Sequence, residues 1–190
     1  MFPVHKSVFD NTMAELNIVN IASATIRQIV ALAGRLEEPL GESFVHLEMG
    51  NPGLPPSKVG AAAEAEALAA GAAGVYPNIA GIPQLKKAGS KFLKAFLDID
   101  VPGRCIVPTV GSMQGTFTMF LLMGQRLRGR DTILFLDPGF PAQHNQVKLL
   151  GLEQESLDIY DCRGEAMEER LDAILSKGRV SAIIYSNPNN

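Results

Sequence analysis

Apolar residues in the first half of the chain recur with the three- and four-residue spacing of an α-helix. The segments Ile18–Leu36 and Pro83–Phe96 each place apolar residues on one face and charged residues on the others. Both segments are therefore predicted to be helices. An alanine-rich segment that runs from Ser57, a residue type that caps helices, to Ala70 predicts a further helix with a small-residue packing face. A short strand is predicted at Val45–Leu47.

The second half of the chain alternates between short apolar runs and helical segments. The predicted strands are Cys105–Val107, Thr132–Leu136, Glu155–Ile159 and Val180–Tyr185, and the predicted helices are Phe117–Leu127, Ala142–Leu150 and Glu165–Leu175. Two of the runs, at 132–136 and 180–185, are apolar without strict alternation, as expected for strands that are covered on both faces. The alternation predicts an α/β fold, a three-layer sandwich around a mostly parallel sheet.

Composition and charge narrow the class of protein. Of 190 residues, 46% are hydrophobic, and the mean hydropathy is +0.11. The net charge of −3 argues against a surface for nucleic acid or anionic membrane, so the lysines around the Pro83–Phe96 helix are assigned to a solvated face. Two cysteines do not make a disulfide framework, and Cys105 is expected to be a buried thiol. No secretion signal and no apolar run of ~20 residues is visible, so a cytoplasmic location is expected.

Three loops that follow predicted strands carry the candidate chemistry: Gly111–Gly115, Asp137–Pro141 and Ser186–Asn190. Because the carboxyl ends of parallel strands share one edge of a sheet, we expect these loops to meet there. The first loop leads into a helix whose initial N–H groups are unpaired and lie at the positive end of the helix dipole. It therefore predicts an anion site that suits a cofactor phosphate. A plain helix cap at Ser112 is the alternative.

These motifs, with two earlier loops, give the chain a resemblance to the fold-type I, pyridoxal-phosphate (PLP)-dependent aminotransferases from about Leu47 to Asn190. Gly50-Asn51-Pro52 resembles the family's substrate-side glycine loop. The segment Tyr76–Gly81, followed by Leu85 and Lys86, is similar to the pattern Tyr-x-x-x-x-Gly-x-x-x-Leu-Arg. Gly111-Ser112-Met113 resembles the phosphate-binding tripeptide, and 138–141 resembles the loop with the ring-stacking aromatic. Residues 186–190 look like the start of Asn-Pro-x-Asn-Pro-Thr-Gly.

The resemblance implies a role for each of these residues toward PLP and substrate. It assigns the phosphate to Gly111, Ser112 and Met113, the stacked ring to Phe140, the phenolic oxygen of the cofactor to Asn190, the phosphate of a neighbouring subunit to Tyr76, and substrate binding to Gly50 and Asn51. Structural roles stay open as alternatives: a core phenylalanine, a turn asparagine, a locally bonded tyrosine and a turn glycine.

The activity that the resemblance implies is transfer of an amino group from an amino acid to a 2-oxo acid by a homodimer. No catalytic residue is recognised in the chain, and the Schiff-base lysine is expected after Asn190, which suggests the front portion of a longer protein. The resemblance also implies that residues 1–48 form an arm and a helix of a small domain, and 49–190 the first part of a large PLP-binding domain. Alternatives are another fold-type I PLP enzyme, such as a carbon–sulfur lyase, or a non-catalytic regulatory or dimerisation module.

The three histidines are not assigned a catalytic role. His144 follows the Phe140 loop and is expected on a helix surface, while His5 and His46 have no visible constellation. No set of His, Cys, Asp or Glu residues has the spacing of metal ligands, so no metal site is predicted.

Overall fold

The computed structural model describes residues 4–160 and 162–189. The chain divides into two compact units, Met1–Val75 and Tyr76–Asn190. The predicted division into a small-domain segment 1–48 and a large-domain segment 49–190 concerns the complete fold and stays a prediction.

The first unit is helical. Its helices are α1 (Lys6–Glu15), α2 (Ile26–Leu40) and α3 (Lys58–Ala69), with short 3-10 turns at Ile21–Ser23 and Ala72–Gly74. A small core forms where α1 and α2 pack together, and its buried residues are Val4, Ile18, Leu32 and Leu36. The predicted helices of this region are therefore present, with changed bounds.

Helix α2 is shifted toward the C-terminus relative to the predicted Ile18–Leu36. It begins after Thr25, whose side chain accepts a hydrogen bond from the Gln28 N–H while the Gln28 side chain binds the Thr25 N–H. This reciprocal cap fixes the helix start. The helix ends at Gly41, where φ of 66° in the left-handed region stops helical propagation.

Two further predictions for the first unit are wrong. Val45–Leu47 is not a strand, because the segment is exposed and no described strand pairs with it. Helix α3 begins after Ser57 as predicted, but the Ser57 side chain makes no cap hydrogen bond. No residue of α3 is buried, so its alanines do not form the predicted packing face within the described residues.

The second unit is the α/β part of the chain. Its helices are α4 (Pro83–Leu97), α5 (Gly111–Arg126), α6 (Pro141–Leu149) and α7 (Glu165–Leu175), and its strands are β1 (Thr132–Asp137), β2 (Glu153–Asp158) and β3 (Val180–Ile184). The strands form a parallel sheet in the order β2-β1-β3. The predicted α/β class with a parallel sheet is confirmed, and α7 has the predicted bounds.

Strand β1 is the centre of this sheet and is covered on both faces. Ile133 and Phe135 pack with Phe120 of α5 and Val147 of α6. Leu134 points the other way and packs with a second buried cluster, whose other members are Leu157, Cys162 and Ile174. The helices thus form outer layers on either side of the sheet, which explains why β1 lacks polar alternation.

An ion pair joins the amino ends of β1 and β3. Arg179 Nη2 lies 2.9 Å from Asp131 Oδ1 and 3.2 Å from Oδ2, and the Thr132 N–H donates to the Arg179 carbonyl. The hydrogen bond from the Arg179 guanidinium lowers the pKa of Asp131 below its ordinary 3.8. The opposite, carboxyl ends of β1 and β3 carry two of the three loops with the candidate chemistry, 137–141 and 186–190.

The predicted strand Cys105–Val107 is wrong. The chain instead forms a 3-10 turn at Gly103–Cys105, in which the Cys105 N–H donates to the Pro102 carbonyl. Cys105 is exposed, so the expectation of a buried thiol is also wrong for this residue. Ile106 packs toward Gly89 of α4 rather than into the sheet. An apolar run of three residues is too short to show whether it pairs with strands or packs on a helix.

No helix within the described residues is long and apolar enough to cross a bilayer. Across the same residues, no three His, Cys, Asp or Glu side chains are grouped so that they could hold a metal ion.

Candidate cofactor site

The start of α5 lies where the sequence predicts an anion site. The helix begins at Gly111 and not at Phe117, so the stretch 111–115 is the first turn of the helix itself. Gly111 has φ of 69°, a conformation that favours glycine. The cap residue Val110 provides no side-chain cap, and the Gly111 N–H donates to the Thr109 carbonyl over 2.9 Å. The N–H groups of Ser112 and Met113, which follow in the first turn of α5, are the donors that remain for a ligand.

Side-chain hydrogen bonds hold the turn that enters α5. The Thr109 hydroxyl donates to the Gly111 carbonyl over 2.9 Å, and the Val110 N–H donates to Gln114 Oε1 over 2.5 Å. Neither contact uses the hydroxyl of Ser112, which is exposed. The two hydrogen bonds therefore hold the turn and leave the Ser112 hydroxyl, which the resemblance assigns to a phosphate, available to a ligand.

An apolar groove of about 410 Å³ runs between α5 and β3 beside this turn. It is lined by Ser112, Gly115, Thr116, Met119, Phe120, Met123, Ala182, Ile183 and Ile184. The lining contains small hydroxyl groups at one end, apolar side chains elsewhere, and no carboxylate. Helix N–H donors, a free hydroxyl and the absence of negative charge fit the phosphate of PLP at this end of α5.

Gln146 of α6 ties the first turn of α5 to the helix that follows the Phe140 loop. Its amide nitrogen donates to the Met113 carbonyl over 2.8 Å, and its Oε1 accepts from the Thr116 hydroxyl over 2.7 Å. Because α6 begins at Pro141, directly after Phe140, this contact joins the 111–115 turn to the helix that starts at the end of the Phe140 loop. The Phe140 ring is half exposed, so one part of it is free to contact a ligand.

A second tie connects the Phe140 loop with the loop after β3. Asn189 Nδ2 donates to the Pro138 carbonyl over 2.5 Å. The loops after β1 and β3 are thus linked directly, as expected for loops at one edge of a parallel sheet, and Gln146 joins the 111–115 turn to them through α6. The 111–115 turn itself follows no strand, because the predicted strand at 105–107 is absent. Asn190, which the resemblance assigns to the cofactor's phenolic oxygen, lies outside the described residues, and its role stays a prediction.

The Tyr76–Gly81 loop packs against the segment that leads to α5. Gly81 has φ of 89°, and a Cβ built on it would lie 2.5 Å from Cδ of Pro108. The Lys86 ammonium donates to the Ala80 carbonyl over 3.0 Å, which fixes the other side of the loop. Tyr76 itself is fully exposed, so its ring is available to another surface. Its predicted contact with a neighbouring subunit's phosphate stays a prediction.

The substrate-side residues Gly50 and Asn51 belong to the first unit and are exposed. A Cβ at Gly50 would meet no atom within 4 Å. Their assigned role stays a prediction.

Sequence reasoning missed two histidine constellations. His46 Nδ1 lies 2.6 Å from Glu48 Oε1, and its Nε2 lies 2.9 Å from Glu37 Oε1, so the ring is held between two carboxylates. These hydrogen bonds, the one with Glu48 foremost, raise the pKa of His46 above 6.5, and the same contact lowers the pKa of Glu48 below 4.5. In the sequence, only the spacing His46-x-Glu48 could have indicated this contact, and such a spacing is common by chance.

The second missed constellation surrounds His144. The ring lies between Asp137 and Gln154 and stacks on Phe135. Its side chain is only 24% exposed, so the expectation of a histidine on the helix surface is wrong.

The model of the family "Aminotransferase class I and II" matches residues 42–190. This range includes the α5 turn, the Phe140 loop and the loop after β3. The chain therefore belongs to the class I and II aminotransferase family, whose members are generally PLP-dependent.

Individual relatives agree with this assignment. The chain is 26% identical over 175 residues to an aspartate aminotransferase of Pyrococcus horikoshii, covering 91% of the chain and 42% of the relative. It is 27% identical over 158 residues to an LL-diaminopimelate aminotransferase of Natranaerobius thermophilus, covering 81% and 39%. The chain spans about two-fifths of the length of these curated relatives.

Solved structures give the same fold. A crystal structure of an aminotransferase from Mycobacterium tuberculosis superposes with a TM-score of 0.61 at 25% identity, covering 73% of this chain and 36% of that one. An archaeal alanine:glyoxylate aminotransferase has a TM-score of 0.58 at 20% identity, covering 95% and 41%. The second likeness concerns the fold alone.

Proposed function

We propose that the protein is a PLP-dependent aminotransferase that moves an amino group from an amino acid to a 2-oxo acid. The observation that carries the proposal is the linkage of three family loops, through Gln146 to Met113 and through Asn189 to Pro138. The chemistry that PLP supplies when bound is temporary carriage of the amino group between the two substrates.

The residues of this chain would bind and orient the cofactor. The N–H groups of Ser112 and Met113 and the Ser112 hydroxyl would hold the phosphate at the positive end of α5. Gly111, with φ of 69° and its N–H bonded to the Thr109 carbonyl, would shape the turn around the phosphate. The Phe140 ring would cover the pyridine face, and Asn190 would donate a hydrogen bond to the phenolic oxygen. The Schiff-base lysine is not assigned to any lysine between Met1 and Asn190.

We also propose a cytoplasmic homodimer. The exposed Tyr76 supports the dimer, because its ring is free to reach a phosphate held by a second copy. Cys105 and Cys162 are unpaired, which agrees with a reducing compartment. Gly50 and Asn51 would contact the substrate. Light scattering on the full-length protein tests the dimer, which requires twice the mass of one chain.

A PLP titration of the full-length protein tests the cofactor assignment. Ser112→Ala should weaken PLP binding by about tenfold or more, the loss expected for one hydrogen bond to a charged group. Thr118→Ala is the matched control, since Thr118 is an exposed hydroxyl residue on the same helix outside the groove lining. Equal affinities of the two variants would place the phosphate elsewhere.

Product analysis separates the proposed reaction from a carbon–sulfur lyase. Amino transfer requires a 2-oxo acid acceptor for turnover and yields one new amino acid for each donor consumed. A lyase turns over without the acceptor. A protein that binds PLP and converts no amino acid under either condition would instead match the regulatory module.

A further inference from the structure

We infer that His144 is a positioning residue for the Phe140 loop, acting through the carboxylate of Asp137. The inference rests on the proposed PLP site, since presentation of the Phe140 ring matters only if a cofactor lies against it. It concerns the shape of the loop before any cofactor binds, so it can be tested separately.

Three elements fix the position of the His144 ring. The ring belongs to α6, stacks on Phe135 of β1 with centroids 3.8 Å apart and an interplanar angle of 20°, and places Nδ1 2.9 Å from Gln154 Oε1 of β2. Stacking fixes the ring plane, and the contact with Gln154 fixes its rotation within that plane. Nε2 is therefore held in one direction, toward the end of β1.

That direction leads to Asp137. His144 Nε2 lies 3.2 Å from Asp137 Oδ1, and both side chains are about a quarter exposed. Because an ionised carboxylate only accepts hydrogen bonds, Nε2 must carry hydrogen and donate it. The Gln154 amide can turn to accept from Nδ1 or donate to it, so the Nε2–H donor is present in both the neutral and the charged ring.

The contact closes the turn that presents Phe140. Asp137 is the last residue of β1, and His144 lies in the first turn of α6, whose cap residue is Phe140. The hydrogen bond therefore joins the two elements that flank the turn. A Cβ built on Gly139 would lie 3.4 Å from the same Oδ1 atom, which places the carboxylate close against the turn. Asn189 holds the turn from its other side at Pro138.

Hydrogen exchange of the cofactor-free, full-length protein tests the inference. His144→Phe keeps an aromatic ring on Phe135 and removes the donor to Asp137. We expect two amides to exchange about tenfold faster, that of Gln143, which donates to the Phe140 carbonyl, and that of Ile159, which donates to the Asp137 carbonyl. A tenfold change is the loss expected for one hydrogen bond to a charged group. Lys148→Ala, an exposed change on the same helix, is the control and should leave both rates unchanged.

A second variant separates the donor from the packing. The side-chain amide of glutamine in His144→Gln can still donate to Asp137. The two backbone amides should therefore exchange more slowly in His144→Gln than in His144→Phe. Asp137→Ala should speed exchange at the two amides as much as His144→Phe does, with no further increase in the double variant. Unchanged exchange in a folded His144→Phe protein, or equal rates in the Phe and Gln variants, would overturn the inference.

PLP affinity gives an additional readout that distinguishes this inference from the proposed function. If the wild type binds PLP, His144→Phe should weaken binding and shift the visible absorption band, since the stacked ring is displaced. If the wild type does not bind PLP, the proposed function fails, and the exchange rates still decide the role of His144.

Discussion

The side-chain amide of Asn189 donates a hydrogen bond to the carbonyl oxygen of Pro138, 2.5 Å away. The two residues are 51 positions apart in the chain and lie in the loops that follow β3 and β1, which are neighbours in the sheet. Parallel pairing of these strands brings both loops to one edge. The contact therefore connects the Phe140 loop with the loop after β3.

Removing this hydrogen bond should loosen the Phe140 loop. For Asn189→Ala we expect faster hydrogen exchange at the Gln143 amide, which donates to the Phe140 carbonyl, and a loss of about 0.5–1.5 kcal/mol in PLP binding free energy, the net value of one hydrogen bond. Asn187→Ala is the matched control, because no side-chain hydrogen bond of Asn187 is present among the described residues. The same exchange rate in both variants would argue against the hydrogen bond between Asn189 and Pro138 in solution.

Gly81→Ala tests the contact between the Tyr76–Gly81 loop and Pro108. The new Cβ would lie 2.5 Å from Pro108 Cδ, and φ of 89° disfavours any residue other than glycine. Gly129→Ala is the control, because Gly129 has φ of 82° but open space around its Cβ position. Chemical denaturation should show a loss for Gly81→Ala that exceeds the control by about 1–3 kcal/mol, the cost of overpacking.

The His46 constellation predicts a pH-dependent contribution to stability. Hydrogen bonds with Glu48 and Glu37 raise the pKa of His46 above 6.5, so its contribution is complete below pH 6.5 and is lost as pH rises through the folded-state value. The pKa of Glu48 is lowered below 4.5, so its contribution is complete above pH 4.5 and is lost as pH falls through the folded-state value.

The difference in unfolding free energy between wild type and His46→Gln should therefore be largest between pH 4.5 and 6.5. It should shrink on either side of this window. His5→Gln provides the control, because the described contact of the His5 ring is with the Ser7 hydroxyl and not with a carboxylate. A difference that stays constant with pH would mean that the carboxylate contacts are not formed in solution.

Truncating a buried side chain of β1 should lower the free energy of unfolding strongly. Ile133 is 0% exposed and packs with Phe120 and Val147, so Ile133→Ala should destabilise the protein by about 2–5 kcal/mol. The same change at Ile183 of β3, which is 44% exposed, should cost clearly less. Denaturation midpoints of the two variants check this order, and equal losses would contradict the described position of the sheet centre.

The sequence predicts the order of the α/β elements well because each has a strong local signal. Helix α7 has acidic residues in its first turn and matches its predicted bounds, and β1 is a continuous apolar run. The failures at 45–47 and 105–107 come from short apolar runs, whose pairing depends on distant partners. Local pattern cannot report whether such a partner exists.

The candidate site is predictable in part for the same reason. Gly111–Met113 and Phe140 could be proposed from the sequence because family motifs are contiguous, and their roles toward PLP stay predictions. The contacts of His144 with Gln154 and of Gln146 with Met113 join different elements, and tertiary packing alone brings those residues together. The supporting contacts of the site therefore required the structure.

The absorption spectrum of the full-length protein with PLP tests whether the protein is an aminotransferase. An aminotransferase should show a visible band from bound PLP that decreases when an amino acid donor is added and returns when a 2-oxo acid is supplied. The Ser112→Ala variant should need more PLP to reach the same band. A protein that binds no PLP, or whose band is unchanged by every amino acid offered, would contradict the assignment as an aminotransferase.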